Sequence, residues 1–173
     1  SSYPFSKYPQ YYAYSAFYNK DKLTKVIIGD NVKSIPEYLF YKCNSLNSVD
    51  FGGTLTAVPD YAFSECDLIS ISLPSTVVSI GAYSFTSNSN LTNVNIGDNV
   101  RTIGGHAFQS CSKIESMNLG NNLETIDAYA FQSVGSAASA ISQIVLPETL
   151  ISIGNYAFYQ SGQSQVVIPN GVK

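Results

Sequence analysis

One spacing recurs along most of the chain. Phe17, Phe40, Phe63, Phe85, Phe108, Phe131 and Phe158 follow one another at steps of 23, 23, 22, 23, 23 and 27 residues. Other apolar columns keep the same beat. Leu23, Leu46, Leu68, Leu91, Ile114 and Ile141 form one. Val26, Val49, Ile71, Val94, Met117, Ile144 and Val166 form the next, followed two residues on by Ile28, Phe51, Leu73, Ile96, Leu119, Leu146 and Ile168. After a Gly or Pro come Val32, Leu55, Val77, Val100, Leu123 and Leu150, then Ile35, Val58, Ile80, Ile103, Ile126 and Ile153. One unit reads L-x-x-V-x-I-G/P-x-x-V-x-x-I-x-x-Y-A-F-x-x-C-x-x. Self-similarity at such a period marks stacked repeats.

Each unit predicts one coil of a solenoid. The alternation in V-x-I is that of a short strand. The Gly or Pro after it, followed by pairs such as DN, ST or NN, is a turn signal. V-x-x-I then returns along another face, and Y-A-F turns Phe inward behind a residue that is mostly Ala. No unit of this size can bury its own apolar edge. Stacked coils can, with their strands in parallel sheets about 4.8 Å apart. Each inward side chain then contributes roughly 1.5–3 kcal/mol, against the entropy of ordering the coil.

Two segments depart from the beat. Four extra residues lie between Phe131 and Ile141, within QSVGSAASA, and predict a loop outside the coil. Residues 1–15 hold five Tyr and two Pro. They read either as a Tyr-rich N-terminal segment or as a worn cap repeat with Tyr12 in the last apolar column. Residues 16–173 read as the solenoid, a piece of a longer array.

Composition narrows the functional classes. Hydrophobic residues make up 45% of the 173, but only 12% are charged, so the surface is polar without being strongly charged. A net charge of -3 leaves no basic footprint for nucleic acid. No run of 18 apolar residues offers direct membrane insertion.

The units resemble a known family. LTNVNIGDNVRTIGGHAFQSCSK, with the endings SIGAYSF, TIGGHAF and SIGNYAF, is similar to the BspA-like (Treponema-type) leucine-rich repeat from about residue 16 to 173. The resemblance implies a repeat fold: a leucine-rich-repeat-type right-handed solenoid of about seven coils of 22–27 residues, with short parallel strands, turns and short helical turns. It also implies a cell-surface or secreted protein whose partner is a protein or glycan on a host or neighbouring cell. An architectural spacer without a ligand of its own is the alternative.

The chemistry-bearing residues fall into the repeat columns. His106 and Cys111 could suggest a nucleophile with its base, or half a metal site. Yet His106 stands where other units have Tyr38, Tyr61, Tyr83, Tyr129 and Tyr156, and Cys111 shares a column with Cys43, Cys66, Asn88, Val134 and Ser161. Both read as packing residues. A thiolate would need a positive partner, and zinc about four ligands. Cys43 and Cys66 stand one coil apart, which allows a disulfide; two buried thiols are the simpler reading. Asp30 and Asp98 in GDN turns could suggest calcium, but other turns lack the acid, so they read as solvated turn residues. Asn90-Leu91-Thr92 is a formal glycosylation sequon. No enzyme, no cofactor and no metal is expected.

The expected binding surface is the outer strand face. Alternation places Ser70, Ser72, Asn93, Asn95, Ser116 and Asn118 there, a polar field with Ile27, Val145 and Val167 towards the ends. The Tyr stripe around Tyr61, Tyr83 and Tyr129 is the second candidate surface, because Tyr offers contact area and a hydroxyl at low entropy cost.

Overall fold

The computed structural model describes residues 15–135 and 143–173; the possible cap position Tyr12, residues 136–140 of the segment with the insertion, and Ile141 lie outside the described residues. Its strands follow in the order β1 (Lys25–Ile28), β2 (Ser48–Phe51), β3 (Ala57–Val58), β4 (Ser70–Ser72), β5 (Ser79–Ile80), β6 (Asn93–Asn95), β7 (Thr102–Ile103), β8 (Ser116–Asn118), β9 (Thr125–Ile126), β10 (Gln143–Val145), β11 (Ser152–Ile153) and β12 (Gln165–Val167). All pairings are parallel and join equivalent positions of successive coils, such as Val94 with Ile71 and Met117. The predicted parallel solenoid is therefore the fold.

The V-x-I segments make the first wall, in three pieces: β1–β2, β4–β6–β8 and β10–β12. Pairing lapses between β2 and β4, where the coil is one residue short and Cys66-Asp67-Leu68 replaces the longer Cys43-Asn44-Ser45-Leu46. It lapses again between β8 and β10, which flank the insertion. The V-x-x-I segments make a second wall, unbroken from β3 through β5, β7 and β9 to β11. Gly104 follows β7 because the coils touch there: a Cβ would lie 2.6 Å from the Ala82 amide nitrogen.

The Y-A-F segments make a third wall of another kind. Where short helical turns were expected, single turns form, closed by bonds such as Tyr41 N–H to Tyr38 O (3.0 Å) and Cys43 N–H to Phe40 O (3.2 Å). Two positions per coil are left-handed: the Tyr column, from Tyr38 (φ 58°) through His106 (59°) to Tyr156 (58°), and the position two after Phe, including Glu65 (54°), Ser87 (60°) and Ser110 (61°). Such backbone is unfavourable for a residue with a Cβ. The wall compensates with hydrogen bonds between coils. Tyr83, Phe85 and Ser87 donate to the carbonyls of Gly105, Ala107 and Gln109 at 2.9, 2.9 and 2.8 Å. His106, Phe108 and Ser110 repeat this towards Ala128, Ala130 and Gln132. These amides all point towards the following coil, whereas the first wall bonds both ways, as Leu73 N–H to Asn95 O and Thr92 N–H to Ile69 O show.

Between the walls lies the core. The seven Phe form one stack with centroids 5.2–5.7 Å apart. Phe63, Phe85, Phe108 and Phe131 are fully buried, while Phe17 remains 42% exposed.

Candidate interaction surface

The six predicted strand-face residues share one surface. Ser70, Asn93 and Ser116 are in register, as are Ser72, Asn95 and Asn118, and all six are exposed. Burial alternates along β6, with Val94 inside and both Asn outside, as a two-residue period requires. The two rows differ in freedom. Asn118 Nδ2 donates to Asn95 Oδ1 (3.2 Å), and the two Oδ1 atoms accept the amides of Gly97 (3.2 Å) and Gly120 (3.0 Å). The Asn95–Asn118 row thus holds the turns that follow it. In the other row, Asn93 bonds to its neighbour Thr92 (3.0 Å). Ile27 and Val145 stand on the same face, about two-thirds exposed (68% and 69%).

The Tyr stripe is differently occupied. Tyr38, Tyr61, Tyr83, His106, Tyr129 and Tyr156 stack face on face, with centroids 4.4–5.1 Å apart and planes within 17°. Their ring faces cover one another. Tyr61 is 8% exposed and Tyr156 60%. Burial, reinforced by the neighbouring Tyr83, Tyr38 and Asp60, raises the Tyr61 hydroxyl far above its usual range, so it stays protonated.

His106 is a member of that stack, 4.4 Å from Tyr83 and 4.8 Å from Tyr129. Its Nδ1 meets Gln109 Oε1 at 2.9 Å, and Gln109 Nε2 donates to Gln132 Oε1 at 2.7 Å. With the Gln109 amide nitrogen committed to Gln132, the shared proton is assigned to His106 Nδ1. Burial lowers the His106 pKa, partly opposed by the bond to Gln109.

The three cysteines are buried and free, the reading preferred for Cys43 and Cys66. Each donates its thiol to a Phe carbonyl of the preceding coil: Cys43 to Phe17 (2.9 Å), Cys66 to Phe40 (3.2 Å) and Cys111 to Phe85 (3.2 Å). Burial pushes the Cys111 thiol up to about 12 and raises Cys43 and Cys66 too, the opposite of what a nucleophile needs. Asn88 does more in the same column. Its Nδ2 donates to Phe63 O (2.8 Å) and Phe85 O (2.9 Å), and its Oδ1 accepts from Leu68 N–H (3.0 Å). That last bond satisfies an amide directly after the shortened turn. The column identified Asn88 as a packing residue; only the missing residue before Leu68 hinted at the larger role.

The remaining candidates are tied into similar ladders. Asp98 Oδ1 accepts from Asn121 (3.0 Å) and Asp98 O from Asn122 (2.9 Å). Among the described residues, no group of three or more His, Cys, Asp or Glu could hold a metal ion. Asn90 is fixed between Asp67 Oδ1 and Lys113 Nζ, both at 2.6 Å, so its amide is engaged within the sequon. No helix among the described residues is long and apolar enough to cross a membrane.

Parallel strands in register, polar ladders between coils and a continuous apolar interior define a β-solenoid repeat protein. Residues 11–138 and 136–173 match the BspA type leucine rich repeat region, in six copies, and the chain belongs to that family. Among solved structures it is similar to a leucine-rich repeat protein from Bacteroides ovatus (23% identity, TM-score 0.69), covering 92% of this chain and 47% of that one. It is also similar to the leucine-rich repeat protein of T. pallidum (24%, TM-score 0.64, covering 88% and 62%) and to one from Eubacterium ventriosum (26%, TM-score 0.58, covering 85% and 45%). The chain thus spans roughly half of the first and less than two-thirds of the second. No curated protein matches it at a significant level.

Proposed function

We propose that the chain is a non-catalytic interaction module of a cell-surface or secreted protein, binding a protein or glycan of a host or neighbouring cell through its outer strand face. The observation that carries this reading is the in-register field of Ser70, Ser72, Asn93, Asn95, Ser116 and Asn118, exposed on β4, β6 and β8. Membership of the BspA-type family supports it, as does the extended sheet surface that solenoids offer to partners. An adaptable array of hydroxyl and amide groups suits a polar, hydrated contact.

The test is a triple variant, Ser70→Lys, Asn93→Lys and Ser116→Lys, which leaves the turn-holding Asn95 and Asn118 intact. Screened against extracellular-matrix proteins and mucin-type glycans, the parent chain should bind at least one and the variant should lose it, with thermal unfolding unchanged. Equal binding by both would move the contact to another surface. The alternative, an architectural spacer, is favoured by the bonds within the face, such as Asn118 to Asn95. It predicts no binding by either protein.

A further inference from the structure

A second polar feature lies on the third wall, away from the strand face. The column directly after Phe reads Tyr18, Tyr41, Ser64, Thr86, Gln109, Gln132 and Tyr159. Ser64 and Thr86 are small where the units on either side carry larger groups. The missing volume is a groove of about 280 Å³ lined by Ser64, Glu65, Tyr83, Thr86, Ser87, Gln109 and Ser110.

Its lining is selective by composition. Glu65 is its one charged residue, and Glu65 Oε1 already accepts the Tyr41 hydroxyl at 2.8 Å while Lys42 Nζ stands 3.9 Å from Oε2. That leaves little unbalanced charge for a cation. No basic side chain lines the groove, so a phosphate or sulfate finds no partner. Four hydroxyl-bearing residues besides Tyr83 supply polar groups to its lining.

Ser64, 1% exposed, lines the groove. Ser87 and Ser110 add two hydroxyls, one coil apart on left-handed backbone, and Gln109 has a second amide hydrogen beyond the one given to Gln132. We infer that the groove binds a neutral, hydroxyl-rich ring, a single sugar residue. Glu65 Oε2 accepts from a ring hydroxyl, and Ser64, Ser87, Ser110 and Gln109 bond to the others. The faces of Tyr83 are covered by Tyr61 and His106, so only its edge meets the ligand. Without an aromatic face to stack on, binding is weak, with a dissociation constant on the order of millimolar; presentation of many copies would raise it by avidity.

The experiment is amide-resolved NMR of the intact chain titrated separately with glucose, galactose, mannose and N-acetylglucosamine. At least one should give saturable shifts at Ser64, Glu65, Ser87 and Ser110. Ser64→Tyr with Thr86→Tyr, which restores the Tyr seen at 18, 41 and 159, should weaken it at least tenfold. Ser87→Lys should do the same without depending on that double variant folding, since Lys42 holds the equivalent left-handed position natively. No saturable shift with any of the four sugars overturns the inference, and so does undiminished binding by Ser87→Lys. The strand-face triple Lys variant should bind the sugar as the parent does, so loss of the strand-face partner and loss of this site are separate results.

Discussion

The first and third walls are built from the same coils and differ in what their side chains are free to do. On the first, the backbone bonds both ways and every second side chain points to solvent. On the third, rings stack on rings, the amides run one way and left-handed residues recur in each coil. Side chains that hold coils together have fewer groups left for a partner. The contact proposed above therefore lies on the open strand face, and the one proposed on the third wall lies at the Ser64–Thr86 groove, where its own column falls short.

The largest effect should come from the interior that both walls share. Phe85→Ala removes a fully buried ring stacked 5.7 Å from Phe63 and 5.3 Å from Phe108, and should cost about 3–5 kcal/mol in denaturant unfolding. A loss below about 1 kcal/mol would mean the coils do not depend on the stack. Next comes Asn88→Ala, which strands the Phe63 carbonyl and the Leu68 amide, Phe85 O keeping the Cys111 thiol, and should cost about 2–3 kcal/mol. Asn88→Cys, restoring the residue native to its neighbours, should recover part of that. Equal losses for Ala and Cys would show that the Leu68 bond alone matters.

A smaller effect separates His106 from the Tyr around it. Its pKa in the fold lies below the ordinary 6.5, so the unfolded chain takes up the proton first. Its contribution to stability is therefore complete above about pH 6.5 and is lost as pH falls from there through the folded value. His106→Tyr should leave stability at pH 7 unchanged or slightly raised and reduce the acid-side loss, as thermal unfolding between pH 7 and 5 will show. Identical profiles would mean that the faces of Tyr83 and Tyr129 hold the imidazolium as well as water does. Smallest of all, Ser70→Lys and Ser116→Lys on the open face should each change stability by no more than about 0.5 kcal/mol. Larger losses would show that this face, too, is needed between coils.

Much of this was legible because a repeat tests each position several times. The Phe column, the V-x-I strands, the placing of His106 in the Tyr stripe and of Cys111 in the Cys column all follow from spacing, and the folded chain keeps them. Local backbone geometry was not legible. Nothing in the letters of Tyr38 or Tyr83 announces φ near 57°, because Tyr has no intrinsic preference for that region; it is imposed by the hydrogen bonds of neighbouring coils. Asn88 looked like a substitute for Cys, since a column reports size and not how many bonds a side chain makes. The groove had a readable signal, the fall from Tyr41 to Ser64 and Thr86, but it lies in a column that is not apolar and so is passed over when apolar positions are aligned.

The one-way amides of the third wall give the stack a direction. Each coil shows donors to the coil after it and carbonyls to the coil before it, so coils fit together like links that join in one orientation only. Two copies meeting by like edges across a two-fold axis would set N–H against N–H along this wall. Edge contact that satisfies the wall must instead run head to tail, the arrangement that builds rows rather than closed pairs. The same polarity bears on how such a chain lengthens: a whole unit of 22 or 23 residues can be inserted or removed at any junction and still find donors on one side and acceptors on the other.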